Sequence, residues 1–203
     1  MNRTYSVATI DSQPLKAVLD DIGMLTISGH GVNEEWISPD YVPWKEERDL
    51  IQYVRFDKDV CVDNLTNWFF GCENLTEIIN WPVNTTKMQA TCCDCHKLKS
   101  LPSAFPENLQ DLDEAFIRCY SLESVPELPP SVIYATDTFV DCFDLSGHIT
   151  IRNSISQFAN MLENAGKNGA GIVVDYTASC AETIDQILGT KADGNVTKGT
   201  QII

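Results

Sequence analysis

The twelve residues Ala115-Phe116-Ile117-Arg118-Cys119-Tyr120-Ser121-Leu122-Glu123-Ser124-Val125-Pro126 set the pattern for the middle of the chain. Their cysteine belongs to a column made of Cys72, Cys95, Cys119 and Cys142, with successive intervals of 23, 24 and 23. Three more columns keep these intervals, and they are Leu75, Leu98, Leu122 and Leu145, then Phe69, Cys92, Phe116 and Phe139, then Leu65, Met88, Leu112 and Ala135. Four columns with one period indicate an internal repeat of the form F-x-x-C-x-x-L-x-x-(I/L/V)-(x)-P.

A period of roughly 20–29 residues with leucine and cysteine columns is typical of a leucine-rich repeat. The predicted fold class is α/β, a short solenoid of about four 23–24-residue coils with a parallel strand ladder. We expect a β-rich N-terminal cap over 1–60, repeats over 61–150 and an α/β C-terminal cap over 151–203. A short strand is predicted after each leucine, over 77–79, 100–102, 124–126 and 147–149. The fourth repeat lacks the proline that ends the others and is interpreted as degenerate.

The two caps have their own patterns. In the N-terminal cap, strands are predicted over 5–10 and 24–28, and Trp36, Tyr41 and Trp44 are expected to pack onto the first repeat. In the C-terminal cap, apolar residues at helical spacing predict a helix that ends near Gly166, and they are Ile151, Ile155, Phe158 and Leu162. Further on, we predict a strand over 172–176, a capping box of Ser179 and Glu182 before a helix ending at Gly189, and a closing strand over 196–203.

Composition restricts the classes of partner. The chain has 43% apolar and 21% charged residues, which predicts a folded protein, and its net charge is −15. Nucleic-acid and anionic-membrane partners are not expected, because both need clustered basic residues. Without an apolar window of about 18 residues, membrane insertion is not expected either. The first six residues lack an apolar segment and the last residues lack a lipidation motif, so neither a secretory leader nor a lipid anchor is expected.

The one apparent metal cluster consists of Cys92, Cys93, Cys95 and His96, because zinc binds thiolate and imidazole ligands. The repeat already explains its cysteines as core residues, so we expect no metal, no cofactor and free thiols in the cysteine column. Cys61 and Cys180 lie outside the columns and are the better candidates for exposed or reactive thiols. The three histidines, His30, His96 and His148, lie in distant segments, so no catalytic residue is assigned.

Outward-facing side chains of the predicted strands are the candidate binding surface. The first outward column follows the leucines and contains Glu77, Ser100, Ser124 and Gly147. The second contains Ile79, Pro102, Pro126 and Ile149. These residues are small, polar or apolar, so the surface fits a protein or glycan ligand, and a plain solvent-exposed face is the alternative.

The repeat resembles the BspA-type, or Treponema pallidum-type, leucine-rich repeat, whose pattern A-F-x-x-C-x-x-L-x-x-I matches residues 115–125. The leading segment of that family is similar to 23–29, Pro43-Trp44 and 51–56 here, so the resemblance covers roughly residues 20–150. It implies surface-displayed binding proteins of bacteria and some protists, and similar repeats occur in gut bacteriophage genomes. We therefore expect a non-enzymatic binding or structural module, first as an adhesive bacteriophage virion protein in a capsid or tail appendage, with other virion proteins among its partners. The alternatives are a bacterial surface adhesin with its leader removed and, less favoured, a Cys/His metal-dependent or thiol enzyme.

Overall fold

The computed structural model describes residues 2–7, 14–29 and 35–203. Over these residues the chain is a mixed α/β structure with two sheets and few helices. The strands are β1 (Arg3–Ser6), β2 (Lys16–Leu19), β3 (Met24–Ser28), β4 (Tyr53–Phe56), β5 (Glu77–Ile78), β6 (Gly147–Ile151), β7 (Ile172–Thr177) and β8 (Val196–Ile202). The helices are α1 (Ala181–Gly189) and the short 3-10 turns Pro39–Tyr41, Lys45–Leu50 and Ala178–Cys180. None of these helices is both long and apolar enough to cross a membrane.

The N-terminal sheet has the strand order β1-β2-β3-β4-β5. Its first two strand pairs are antiparallel, and β3–β4 and β4–β5 are parallel. Strand β3 coincides with the predicted strand over 24–28, whereas the predicted strand over 5–10 is described only in its first part, with residues 8–10 outside the described residues. Leu25 and Ile27 of β3 alternate with less buried neighbours, as expected for a strand with one face on the core.

Beyond β5 the predicted ladder of parallel strands is mostly absent from residues 100–126. One isolated bridge joins Glu77 to Ser100, and residues 124–126 form no strand. The predicted strands over 100–102 and 124–126 are therefore wrong, because proline at 102 and 126 has no N–H to donate to a ladder. The repeats nevertheless keep their register, since the amide of Lys99 donates to Thr76 O (3.0 Å) and that of Ser146 to Glu123 O (3.0 Å).

A regular set of backbone hydrogen bonds joins successive repeats in the turns that precede each column leucine. The amides of Leu112, Glu114, Phe116 and Arg118 donate to carbonyls of the equivalent segment of the next repeat, 134–140, at 2.8–3.0 Å. The same alternating set of four bonds joins 65–71 to 87–93, 88–94 to 111–117 and 135–141 to 157–163. Stacking at this site was not predicted from the sequence.

These turns use a left-handed backbone at two positions in each repeat. The first position is held by Asn67, Ala90, Glu114, Asp137 and Asn160, with φ between 48° and 63°. The second is held by Gly71, Asp94, Arg118, Asp141 and Asn164, with φ between 57° and 72°. Between these positions the backbone turns through bonds such as Ile117 N to Glu114 O (3.3 Å), and every other amide then donates to the next repeat.

The repeated leucine, phenylalanine and cysteine columns lie in the core as predicted. Every member of the three columns is fully buried, Cys92 included. The cysteines also bridge the repeats, because Sγ of Cys119 donates to Cys92 O (3.2 Å) and Sγ of Cys142 to Phe116 O (3.2 Å). A cysteine here fills a small apolar site and supplies a weak donor to a buried carbonyl.

The predicted helix over 151–162 is wrong. Ile151 ends β6, and Gln157 forms a parallel bridge with Tyr134, one repeat earlier. Leu162 takes the place in its segment that Phe139 holds in the repeat before, so the apolar spacing arises from one more turn segment rather than from a helix.

Elsewhere the C-terminal predictions agree with the structure, with one exception. Strands β7 and β8 and the end of α1 at Gly189 confirm the predicted elements, and β6-β7-β8 form a parallel sheet. The capping box is wrong, because Cys180 is the N-cap residue of α1 and makes no side-chain capping bond.

Candidate functional site

The first predicted outward column faces solvent. Glu77, Ser100, Ser124 and Gly147 are all exposed. In the second column Ile79 is 43% exposed, whereas Pro102 and Pro126 are half-buried. The prediction for Ile149 is wrong, because this side chain is only 2% exposed and belongs to the core.

Gly147 explains why Ile149 turns inward. Its φ of +93° lies in a region that glycine adopts without strain, and it interrupts the alternation of the strand. After Gly147 the inward positions are Ile149 and Ile151, and His148 takes the outward place. A one-residue shift of phase exchanges the two faces of a strand, which is why the column extrapolated from the earlier repeats fails here.

A groove with a volume of about 670 Å³ adjoins the second outward column. It lies between residues 79–84 of one repeat and 102–108 of the next. The buried side chains of Trp81 and Phe105 line it, together with the exposed Ile79 and Val83. Volumes of this size are typical of ligand-binding clefts.

The walls of the groove are fixed by contacts with the neighbouring repeats. The Asn80 amide pairs with the backbone of Phe56, with Nδ2 donating to the carbonyl at 2.7 Å and Oδ1 accepting from the amide at 3.1 Å. On the far side, Oγ of Ser131 donates to Glu107 O at 2.8 Å. Trp81 lies 7% exposed, and its indole N–H finds no acceptor among the described residues.

A histidine–carboxylate pair joins β6 and β7, next to Gly147 of the first outward column. Nδ1 of His148 on β6 lies 2.6 Å from Oδ2 of Asp175 on β7, and the other carboxylate oxygen accepts the Thr200 amide at 2.7 Å. These hydrogen bonds, the one from Thr200 first, hold the pKa of Asp175 below its usual range. A Cβ at position 199 would collide with this carboxylate, so Gly199 allows the close approach. The pair orients the exposed imidazole of His148 on the surface.

The Cys/His cluster does not form a metal site in the described part of the chain. Cys92, Cys93 and Cys95 are buried, and Sγ of Cys95 donates to Phe69 O at 3.1 Å. His96 instead stacks on Tyr120, with ring centroids 4.8 Å apart. No three His, Cys, Asp or Glu side chains among the described residues converge on one point, and His30 lies outside those residues.

Burial also makes the column cysteines poor nucleophiles. All eight cysteines are free thiols; Cys61 is exposed and the others are buried, including Cys180, which was predicted to be a candidate for exposure. Burial raises the pKa of the Cys93 thiol to about 12, and it raises the pKa values of Cys72, Cys92, Cys95, Cys119 and Cys142 above their usual range. Because the thiolate is the reactive form, these side chains stay protonated and unreactive near neutral pH.

The difference in burial between Cys61 and the other seven cysteines predicts the outcome of alkylation. With N-ethylmaleimide at neutral pH, we expect the folded protein to gain one adduct rapidly, at Cys61, and the unfolded protein to gain eight. Intact-mass and peptide mass spectrometry measure both states, and Cys61→Ser should abolish the rapid adduct. Rapid modification of Cys119 or Cys142 would show that the cysteine column is accessible to solvent.

Several of these features were not predicted from the sequence, although some correspond to a recurring pattern in it. The groove could have been found from the dipeptides Trp81-Pro82 and Phe105-Pro106, which recur in successive repeats. The stacked rings of His96, Tyr120 and Phe143 also follow the repeat, as the residue after each column cysteine. The His148–Asp175 pair corresponds to no such pattern, because it depends on the phase shift at Gly147.

Comparison with solved structures identifies the fold. The chain is similar to a leucine-rich repeat protein from Eubacterium ventriosum, with a TM-score of 0.61 and 22% sequence identity over 88% of this chain. This likeness supports the leucine-rich-repeat fold that the columns predict. The chain spans 45% of the length of that protein. No protein-family model matches the sequence, and no curated protein matches it.

Proposed function

We propose that this protein is a non-enzymatic binding module whose BspA-type leucine-rich repeats stack as a solenoid. The observation that carries the proposal is the separation of surface and core. The outward residues Glu77, Ser100 and Ser124 are exposed beside a groove, whereas the column thiols are buried. A repeat array of this kind presents an extended surface to a ligand, and the bacterial leucine-rich repeat protein of similar fold supports this reading.

The stacking extends, in this proposal, beyond the four repeats identified by their columns. Two observations support the extension. Asn160 and Asn164 repeat the left-handed positions of Asp137 and Asp141 one repeat later, and their Nδ2 atoms donate to those aspartates at 3.0 and 2.9 Å. The parallel pairing of β6, β7 and β8 then continues the array towards residue 203.

Binding through the outward face is tested with arrays. Fluorescently labelled protein is applied to glycan and peptide arrays, and the ligands that give a signal are retested with variants. Ser100→Arg and Ser124→Arg, which place a long cation on the outward face, should abolish the signal. Ser156→Arg is the matched control, because Ser156 is also exposed but precedes the turn segment at Gln157. A signal that survives both face variants contradicts the proposal.

The site of display follows from the family resemblance. We place the module first on a bacteriophage virion, in a capsid or tail appendage used for adhesion, and second on a bacterial cell surface. Peptide mass spectrometry of density-purified particles and of cell-envelope fractions from the source culture separates the two. Stoichiometric recovery in particles supports the virion, and recovery confined to the envelope supports the adhesin.

A further inference from the structure

The groove between 79–84 and 102–108 has walls suited to side chains rather than to backbone pairing. Pro82, Pro102 and Pro106 line it, and proline has no N–H with which to extend a sheet onto a partner strand. Ile79 and Val83 are exposed beside it, at 43% and 69%. Such walls favour a partner that inserts apolar side chains between these residues.

The charge of the groove restricts its partner further. Among the residues that line it in the described part of the chain, Glu107 is the one charged residue, and it is exposed. The whole chain carries a net charge of −15, which favours association with cationic groups. Complementarity of charge then favours a partner in which a lysine or arginine lies next to the apolar anchor.

The aromatic residues favour a peptide over a sugar. A sugar ring is recognised by an open aromatic face, but Trp81 and Phe105 are only 7% and 5% exposed. Neither ring therefore offers an open face on which a sugar could stack, whereas both can contact apolar side chains of a peptide.

We propose that the groove binds an extended protein segment that combines an apolar anchor residue with an adjacent lysine or arginine. The anchor packs between Val83 and Ile79, and the cation pairs with Glu107. This inference rests on the proposed binding function and names its partner class.

A random dodecapeptide library displayed on beads is the probe, and the full chain is the target. We expect the selected peptides to carry Lys or Arg next to, or one position away from, Leu, Ile or Phe. Fluorescence anisotropy with one selected peptide should show affinity losses of about tenfold or more for Val83→Asp and about fivefold for Glu107→Lys.

Ile133→Asp is the matched control, since Ile133 is exposed in another segment, and it should bind like the unchanged protein. Selected peptides without basic residues, or equal affinity for Val83→Asp and Ile133→Asp, would overturn the proposal. If binding is lost with Ser100→Arg but kept with Val83→Asp, the binding function stands and the groove proposal fails. If the library yields nothing and only glycans bind, the peptide partner is likewise refuted.

Discussion

Replacing Leu122 by alanine is expected to lower the free energy of unfolding by about 2–5 kcal/mol. The side chain is fully buried in a core cluster that also contains Leu98 and Leu145, the column members of the repeats before and after it. Its truncation removes apolar contacts on both sides and leaves a cavity that a hydrogen-bonded backbone cannot close. Urea denaturation followed by circular dichroism measures the loss as a lower midpoint at unchanged slope.

Ser124→Ala is the control for this experiment. Ser124 lies just beyond Leu122 in the chain and is exposed, so its change should stay within about 0.5 kcal/mol. A silent Leu122→Ala would mean that the repeat register assigned here is wrong. A large loss in Ser124→Ala would instead place the outward column inside the protein.

The core was predictable because periodicity reports buried contacts directly. A side chain that meets its equivalents in the repeats before and after it has similar surroundings in each repeat, and the columns of leucine, phenylalanine and cysteine therefore recur. The same logic placed Glu77, Ser100 and Ser124 outside, where the structure has them. The columns therefore predict which residues of each repeat face the core.

The backbone between the columns was not predictable by the same means. Glu114 and Arg118 adopt positive φ although neither residue favours it, because their amides donate to the next repeat at 2.8 Å. Hydrogen bonds between repeats override the preference of these two residues for negative φ. The sequence of a single repeat does not indicate these bonds. The false helix over 151–162 has the same origin, since apolar side chains spaced by three and four fit a helix as well as a stacked turn.

The outward face illustrates a second limit. Extending a column from repeat to repeat assumes that equivalent positions always face outward. This assumption fails at Gly147, after which the inward and outward positions are exchanged. His148 then meets Asp175, which lies on the next strand and outside the columns. A site that forms where one repeat departs from the pattern of the columns cannot be predicted from that pattern.

Replacing Trp44 by alanine is expected to cost about 3–5 kcal/mol, the other large effect. Trp44 is fully buried, and its ring lies 5.7 Å from Trp36 and 5.6 Å from Trp68, measured between centroids. Its indole N–H donates to Trp68 O at 2.9 Å, so the variant also leaves a buried carbonyl unpaired. Trp44→Phe keeps part of the packing but leaves the Trp68 carbonyl unpaired, so it should cost about 1–3 kcal/mol.

Tyr41→Ala is the matched control for Trp44→Ala. Tyr41 belongs to the same connector but is 64% exposed. Its change should therefore stay within about 0.5 kcal/mol. Equal effects of Tyr41→Ala and Trp44→Ala on the urea midpoint at which the N-terminal sheet unfolds would refute the anchoring role of Trp44.

The form of the unfolding transition carries a further consequence of this anchoring. One core cluster runs from Leu25 in the N-terminal sheet to Val196 at the far end, so the unchanged protein should unfold in a single step. Trp44 lies where the connector meets the first repeat, and its loss weakens that contact more than the repeats themselves. Trp44→Ala should therefore separate unfolding into two transitions, the N-terminal sheet first, whereas Leu122→Ala should lower one transition as a whole.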